Sequence, residues 1–182
     1  MLFPHAQSER VNLKPAGTDD GRTAYDVLFS LGRTALPTVD TYLERFGKGV
    51  AAAFLVELRD TGETVGLCEL SEPSPAGHVQ AAVHIRRGQD RSVAADAALL
   101  TVNFAFAMWR IRKVYFQTHE ADLESLGFHG ERAKLVRREA VLADHLYFQG
   151  RTWDMHVHSI QREMWDAQGA EIVNGIRPGG AV

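Results

Sequence analysis

The chain is poor in cysteine, in net charge and in long apolar runs, and each shortage excludes something. Cys68 is the single cysteine among 182 residues. A lone thiol closes no internal disulfide and builds no cysteine-based zinc site, so nothing points to a secreted, disulfide-stapled fold. There are 20 basic and 23 acidic side chains, a net charge of −3. Proteins that grip DNA or RNA carry a strong basic excess, so no nucleic-acid partner is expected. No run approaches the ~18 apolar residues of a membrane helix. The opening MLFPHAQSER also lacks the apolar stretch of a signal peptide. The expectation is a cytoplasmic protein with no membrane partner. Lysine is scarce as well, 4 residues against 16 arginines, a bias that fits a GC-rich bacterial genome better than a function.

What is present reads as a soluble globular chain. Apolar residues make up 45% and charged residues 24%, ordinary proportions for such a protein. The length suits one domain with a sizeable core. Residues 10–15 alternate Val11 and Leu13 with polar neighbours up to Pro15 and read as a short strand. Thr18, Asp19 and Asp20 offer N-cap chemistry for a helix to about residue 31. Pro37 can open a second short helix with Tyr42, Leu43 and Phe46 on one side. Segments 51–59 and 64–71, joined by Asp60-Thr61-Gly62-Glu63, form the plainest hairpin. Strand character returns over 78–85 and 113–119, on either side of a long helical run at 93–110. Helical spacing recurs over 122–135 despite Gly127 and Gly130, and 138–148 with 152–160 makes a closing hairpin. The glycine-rich stretch from 168 onward reads as a fraying tail. The order β-α-α-β-β-β-α-β-α-β-β mixes hairpins with helical crossovers, so the sheet must be mixed, in an α/β or α+β protein.

Three local patterns say more. Gln89-Asp90-Arg91-Ser92-Val93-Ala94 precedes the long helix, and Asp122-Leu123-Glu124-Ser125 follows the fifth strand. The third runs from Arg138-Glu139 through Gly150-Arg151-Thr152-Trp153-Asp154 to Arg162-Glu163-Met164-Trp165. Together with the element order, these resemble the GNAT superfamily of acyl-CoA-dependent N-acyltransferases, in particular its RimJ/RimL-like branch, over about residues 10–166. The first pattern resembles the family's pyrophosphate loop, the second its Asn-x-x-Ser, the third its closing hairpin signature. Ser92 stands for a motif glycine, Asp122 for asparagine, and Ala140 for the glycine after Glu139.

The resemblance implies a mostly antiparallel mixed sheet flanked by helices, with one domain at 10–166 and a flexible tail at 167–182. It implies an enzyme that moves an acyl group from acetyl-CoA or another acyl-CoA, without metal, directly to a primary amine. The amine would belong to a small molecule or a peptide N-terminus, and the protein would be a monomer or homodimer. A catalytically weak or inactive CoA-binding or regulatory protein of the same fold is the alternative, motivated by Ser92, Asp122 and Ala140. Acceptor choice would lie in the 28–46 region and the 147–153 hairpin.

The resemblance then implies candidates, and chemistry says why these residue types suit the roles. A pyrophosphate needs converging backbone N–H groups, which a loop entering a helix N-terminus supplies. The resemblance therefore implies a cofactor-binding set of Gln89, Arg91, Ser92, Val93 and Ala94, with His84 and Ile85 along the pantetheine and Asp122 beyond the fifth strand. Ser92 replaces a glycine that would permit positive φ, a geometry serine reaches only at a cost. Acyl transfer needs an unprotonated amine and a proton for the leaving thiolate. His78, on one strand face with Gln80, Ala82 and His84, is the candidate base. The resemblance implies the candidate acids: Ser125, at the serine of Asn-x-x-Ser, and His129, where relatives carry a general-acid tyrosine. The residues leave open that His78 is an exposed strand-end side chain and His129 a helix-surface one. His156 and His158 share a strand face with Asp154, but packing explains them better than zinc.

Overall fold

The computed structural model describes residues 4–32 and 36–179. Seven strands form one sheet: β1 Val11–Pro15, β2 Val50–Leu58, β3 Thr64–Ser71, β4 His78–Ile85, β5 Lys113–Thr118, β6 Val136–Phe148 and β7 Arg151–Gln161. Its order is β1-β2-β3-β4-β5-β7-β6. Every neighbouring pair is antiparallel except β4 and β5, which run parallel because α3 (Arg91–Met108) carries the chain between them. The mixed, mostly antiparallel sheet expected from the sequence is the one observed.

Helices cover both faces. On one, Ala24, Val27 and Leu28 of α1 (Gly21–Ser30) bury against Leu55 and Leu67, with Tyr42 and Phe46 from α2 (Val39–Arg45) and its C-cap packed beside them. On the other, α3 is buried from Val93 to Phe106 along most of its length, over Val79, Ala81, Val114 and Phe116. Thr38, rather than Pro37, caps α2, its hydroxyl accepting from the Thr41 N–H at 3.5 Å. Residues 33–35, within the expected acceptor region, and 180–182, at the end of the expected tail, lie outside the described residues.

Two expectations fail, for opposite reasons. The helical spacing over 122–135 yields no α-helix but two 3-10 turns, Glu124–Leu126 and Gly130–Leu135. Gly127 at φ 82° and Gly130 at φ 56° are left-handed, and a right-handed helix cannot run through them. The expected tail, by contrast, is helical through α4 (Arg162–Asn174). Trp165 and Val173 of α4 and Ile176 just beyond it are buried in the core, and the Glu9 N–H donates to the Ile176 carbonyl at 2.8 Å. Composition misled because Gly169, a poor helix former, sits where the Trp165 ring folds back: a Cβ there would come within 2.5 Å of the indole.

Arg162 joins α4 to α3. Its guanidinium donates to the carbonyls of Phe106 (2.9 Å), Trp109 (2.6 Å) and Ile111 (2.7 Å), satisfying backbone acceptors left over where α3 ends. The Trp165 indole N–H donates to Asn103 at 3.5 Å. The Arg162-to-Trp165 stretch of the closing pattern is therefore a packing signature.

Candidate functional site

The site begins with a defect in the sheet. β4 and β5 pair from His78↔Lys113 to Ala81↔Phe116 and no further, although β4 continues to Ile85 and β5 to Thr118. Beyond that point β4 stays paired to β3 and β5 to β7. The backbone groups of Ala82–Ile85 that face β5 thus meet an open slot.

At the α3 side of this slot lies the helix N-terminus. Gly88, at φ 89°, turns the loop, and Asp90 caps the helix by accepting from the Ser92 N–H at 2.7 Å. Hydrogen bonds from Ser92 hold the Asp90 carboxyl below the usual carboxylate range. Ser92 itself is within the first turn of α3, and among the described residues only Asp144 and Gln149 are non-glycine residues with positive φ. The strain expected of serine at this motif position does not arise.

A groove of about 620 Å³ opens beside this helix start. Arg10, Arg91 and Arg132 reach it with Ser92 and His129, and Gly175 and Ile176 close it from beyond α4. Arg10 is tied to buried Asp96 at 3.1 Å. Gly127 lets the turn after β5 lie against α3, because a Cβ there would stand 2.3 Å from that of Ala95. The donor set is anion-seeking: arginines and a helix N-terminus suit a phosphorylated ligand. Asp90, Asp96 and Glu124 are the opposing charges.

The second pocket, about 290 Å³, is on the opposite face of the sheet. His78, Gln80, Tyr115 and Gln117 line its floor, with Ser71, Ser74 and Glu72 along the β3–β4 edge. The His78 ring stands edge-on to Tyr115 at 5.2 Å. The Gln80 amide donates to the Gln117 carbonyl oxygen at 3.3 Å, spanning the place where strand pairing ends.

The sequence candidates therefore divide. Arg91, Ser92 and His129 share the α3-side groove, while His78 lies alone among them in the other pocket. Val93 is buried in the core, Ala94 is half-buried on α3, and Gln89 is half-buried in the loop ahead of it. Ile85 packs against the core from the slot edge, and His84 pairs with Leu67. Asp122 accepts from the Glu124 N–H at 3.0 Å and so turns the chain. The Ser125 hydroxyl donates to Glu120 at 2.5 Å. The structure thus does not bring His78, Ser125 and His129 together. Gln80, Tyr115 and Gln117 line the same pocket as His78; strand alternation puts Gln80 on the His78 face, whereas β5 joins the pocket only through the parallel register.

His156 and His158 stack at 6.2 Å on β7. Burial lowers the His158 pKa, which favours the neutral ring, with Nε2 3.5 Å from the Glu120 carbonyl. Among the described residues no group of three or more His, Cys, Asp or Glu side chains is placed to hold a metal ion. Burial raises the Cys68 thiol to about 12, well removed from nucleophilic use. Among the described residues no helix is long and apolar enough to cross a membrane.

The same overall fold is found in solved acetyltransferases, one of them described as of the GNAT family. The spermidine/spermine N-acetyltransferase SpeG from Vibrio cholerae, solved in complex with manganese ions, matches with a TM-score of 0.70 at 15% identity, over 87% of this chain and 96% of that one. A mutant form of the spermidine N-acetyltransferase from the same organism matches with a TM-score of 0.70 at 15% identity, over 85% and 95% of the two chains. A probable GNAT-family acetyltransferase from Chromobacterium violaceum ATCC 12472 matches with a TM-score of 0.66 at 17% identity, over 88% and 87%. No family model and no curated protein matches the sequence.

Proposed function

We propose that the protein is an N-acyltransferase of the RimJ/RimL-like kind that uses acetyl-CoA or another acyl-CoA and acylates a primary amine, acting in the cytoplasm as a monomer or homodimer. The observation that carries this reading is the slot between β4 and β5, with an anion-seeking groove at the start of the helix that follows β4 and a separate polar pocket on the other face of the two strands. The anion-seeking groove fits the phosphates of a coenzyme A, and the uncharged slot fits its thin pantetheine arm. Arg91, Ser92, Val93, Ala94 and Gln89 hold the phosphate end, and Ala82–Ile85 with His84 line the slot; Asp122 fixes the turn beside it. When bound, the thioester supplies an activated acyl carbon.

The chain's own residues do the rest. Backbone N–H groups of the unpaired part of β4 are oriented to stabilise charge on the acyl oxygen. His78 receives the amine proton, through a water, as the C–N bond forms and the C–S bond breaks. The leaving sulfur gains a proton on the α3 side, where Ser125, already hydrogen-bonded to Glu120, and His129 are the donors. Calorimetric titration with acetyl-CoA and longer acyl-CoAs tests the reading: at least one binds, and Ser92→Asp, which sets a second carboxylate at the helix start, abolishes it. Failure of every acyl-CoA to bind would end this assignment.

A CoA-binding protein of the same fold with weak or no catalysis is the second reading, and Asp90 is the observation that favours it. Its carboxylate already takes the Ser92 N–H that a phosphate would seek. Asp90→Ala is expected to lower the melting temperature slightly through loss of the cap, yet to bind acetyl-CoA several-fold more tightly. Equal or weaker binding by Asp90→Ala would show that the carboxylate does not compete.

A further inference from the structure

We infer that the acceptor is a small hydroxyl-bearing monoamine, an amino sugar or amino alcohol, held in the pocket beside Gln80 and Gln117; this rests on the acyl-transfer reading above. The pocket's volume, about 290 Å³, is at the lower end of the range for small-molecule sites. Its lining is mostly neutral and polar, and among the described residues Glu72 is the one carboxylate that reaches it. The next carboxylate on β3, Glu69, bears on Tyr42 beneath α2, where burial and that charge push the phenol pKa up.

A single carboxylate draws in a single ammonium, which sheds one proton to solvent before its nitrogen attacks. A polyamine would leave its further ammonium groups against carboxamides and hydroxyls, without the counter-charges that offset their desolvation. An amino acid would need a cation for its carboxylate. Among the described residues no Lys or Arg lines the pocket, and the neighbouring Lys113 ammonium is held by Glu139 at 2.7 Å. Glu139 in turn accepts from Ser159 at 2.7 Å, so that charge is already satisfied.

Hydroxyl groups, by contrast, find partners. The two glutamines bond head to tail, which leaves one carbonyl oxygen and one NH₂ group available whichever way the pair is assigned. A hydroxyl both donates and accepts, so adjacent hydroxyls on a sugar ring answer that pair. The Tyr115 ring and Val157 give the same ligand an apolar wall.

The test uses the full chain with acetyl-CoA and four amines at equal concentration: glucosamine, ethanolamine, spermidine and glycine. Thiol release is expected to give kcat/KM at least tenfold higher for glucosamine or ethanolamine than for spermidine and glycine. Glu72→Gln and Gln117→Leu should each lower that value about tenfold while leaving the acetyl-CoA Kd unchanged. Preference for spermidine or glycine overturns the inference and leaves the acyl-transfer reading intact. If acetyl-CoA itself fails to bind, glucosamine is titrated alone by NMR. Shifts at His78 and Tyr115 that Glu72→Gln abolishes then support the pocket assignment without the reaction, and their absence overturns it.

Discussion

Arg162→Ala is expected to cost about 3 kcal/mol of stability, because it orphans three carbonyls at once. The guanidinium closes the end of α3 at Phe106, Trp109 and Ile111, and its cation lies 5.1 Å from the Phe106 ring. None of these carbonyls lies at the slot or in either pocket. The loss should therefore appear as a lower urea midpoint, with acetyl-CoA affinity kept in the population that remains folded. Arg162→Lys restores the charge without the fork and should recover less than half of the loss. A midpoint within experimental error of the parent would mean that water replaces the side chain there, and that Arg162 is not what closes α3.

Gly127→Ala is expected to be as damaging and to reach the ligand groove as well. At φ 82° an alanine is strained, and its methyl would meet Ala95 Cβ at 2.3 Å and Cα at 2.9 Å. Backbone strain and overpacking together come to roughly 3 kcal/mol. The turn can relieve the clash only by moving off the first turns of α3, which should weaken acetyl-CoA binding by tenfold or more. Adding Ala95→Gly removes the nearer contact but not the φ strain, so the double variant should regain part of the stability and most of the affinity. If the double variant is no better than Gly127→Ala alone, the clash is not the cause.

Most of the sheet was legible because its strands are local hairpins or follow a helix of strong apolar character, and periodicity needs no partner to be seen. The slot was not: nothing in HVQAAVHI distinguishes its paired first half from its second half, which loses β5 and keeps β3. The two failures among the helices share a cause. Gly127 and Gly169 look alike as helix breakers, yet one takes a left-handed turn against Ala95 and the other makes room for an indole. Which of the two a glycine does depends on what packs against it. The same limit applies to the site. Gln117 enters the pocket by register with a strand more than thirty positions earlier, and Asp90 reads from sequence as an unremarkable motif filler until its carboxylate is seen on the Ser92 N–H.

The break between β4 and β5 also divides the chain by how it folds. β1 to β4 are consecutive antiparallel neighbours, and β5, β7 and β6 form a second set of antiparallel neighbours. The β2–β3, β3–β4 and β6–β7 hairpins among them are local and form readily, whereas the parallel β4–β5 join waits for α3 to be laid across the sheet. That join consists of four residue pairs. The slot is therefore the seam between two cooperative units, and hydrogen exchange should find its edges opening before the interior of either half. A molecule seated across the seam would fasten the two halves to each other, so that occupancy of the slot sets how far the sheet behaves as a single body.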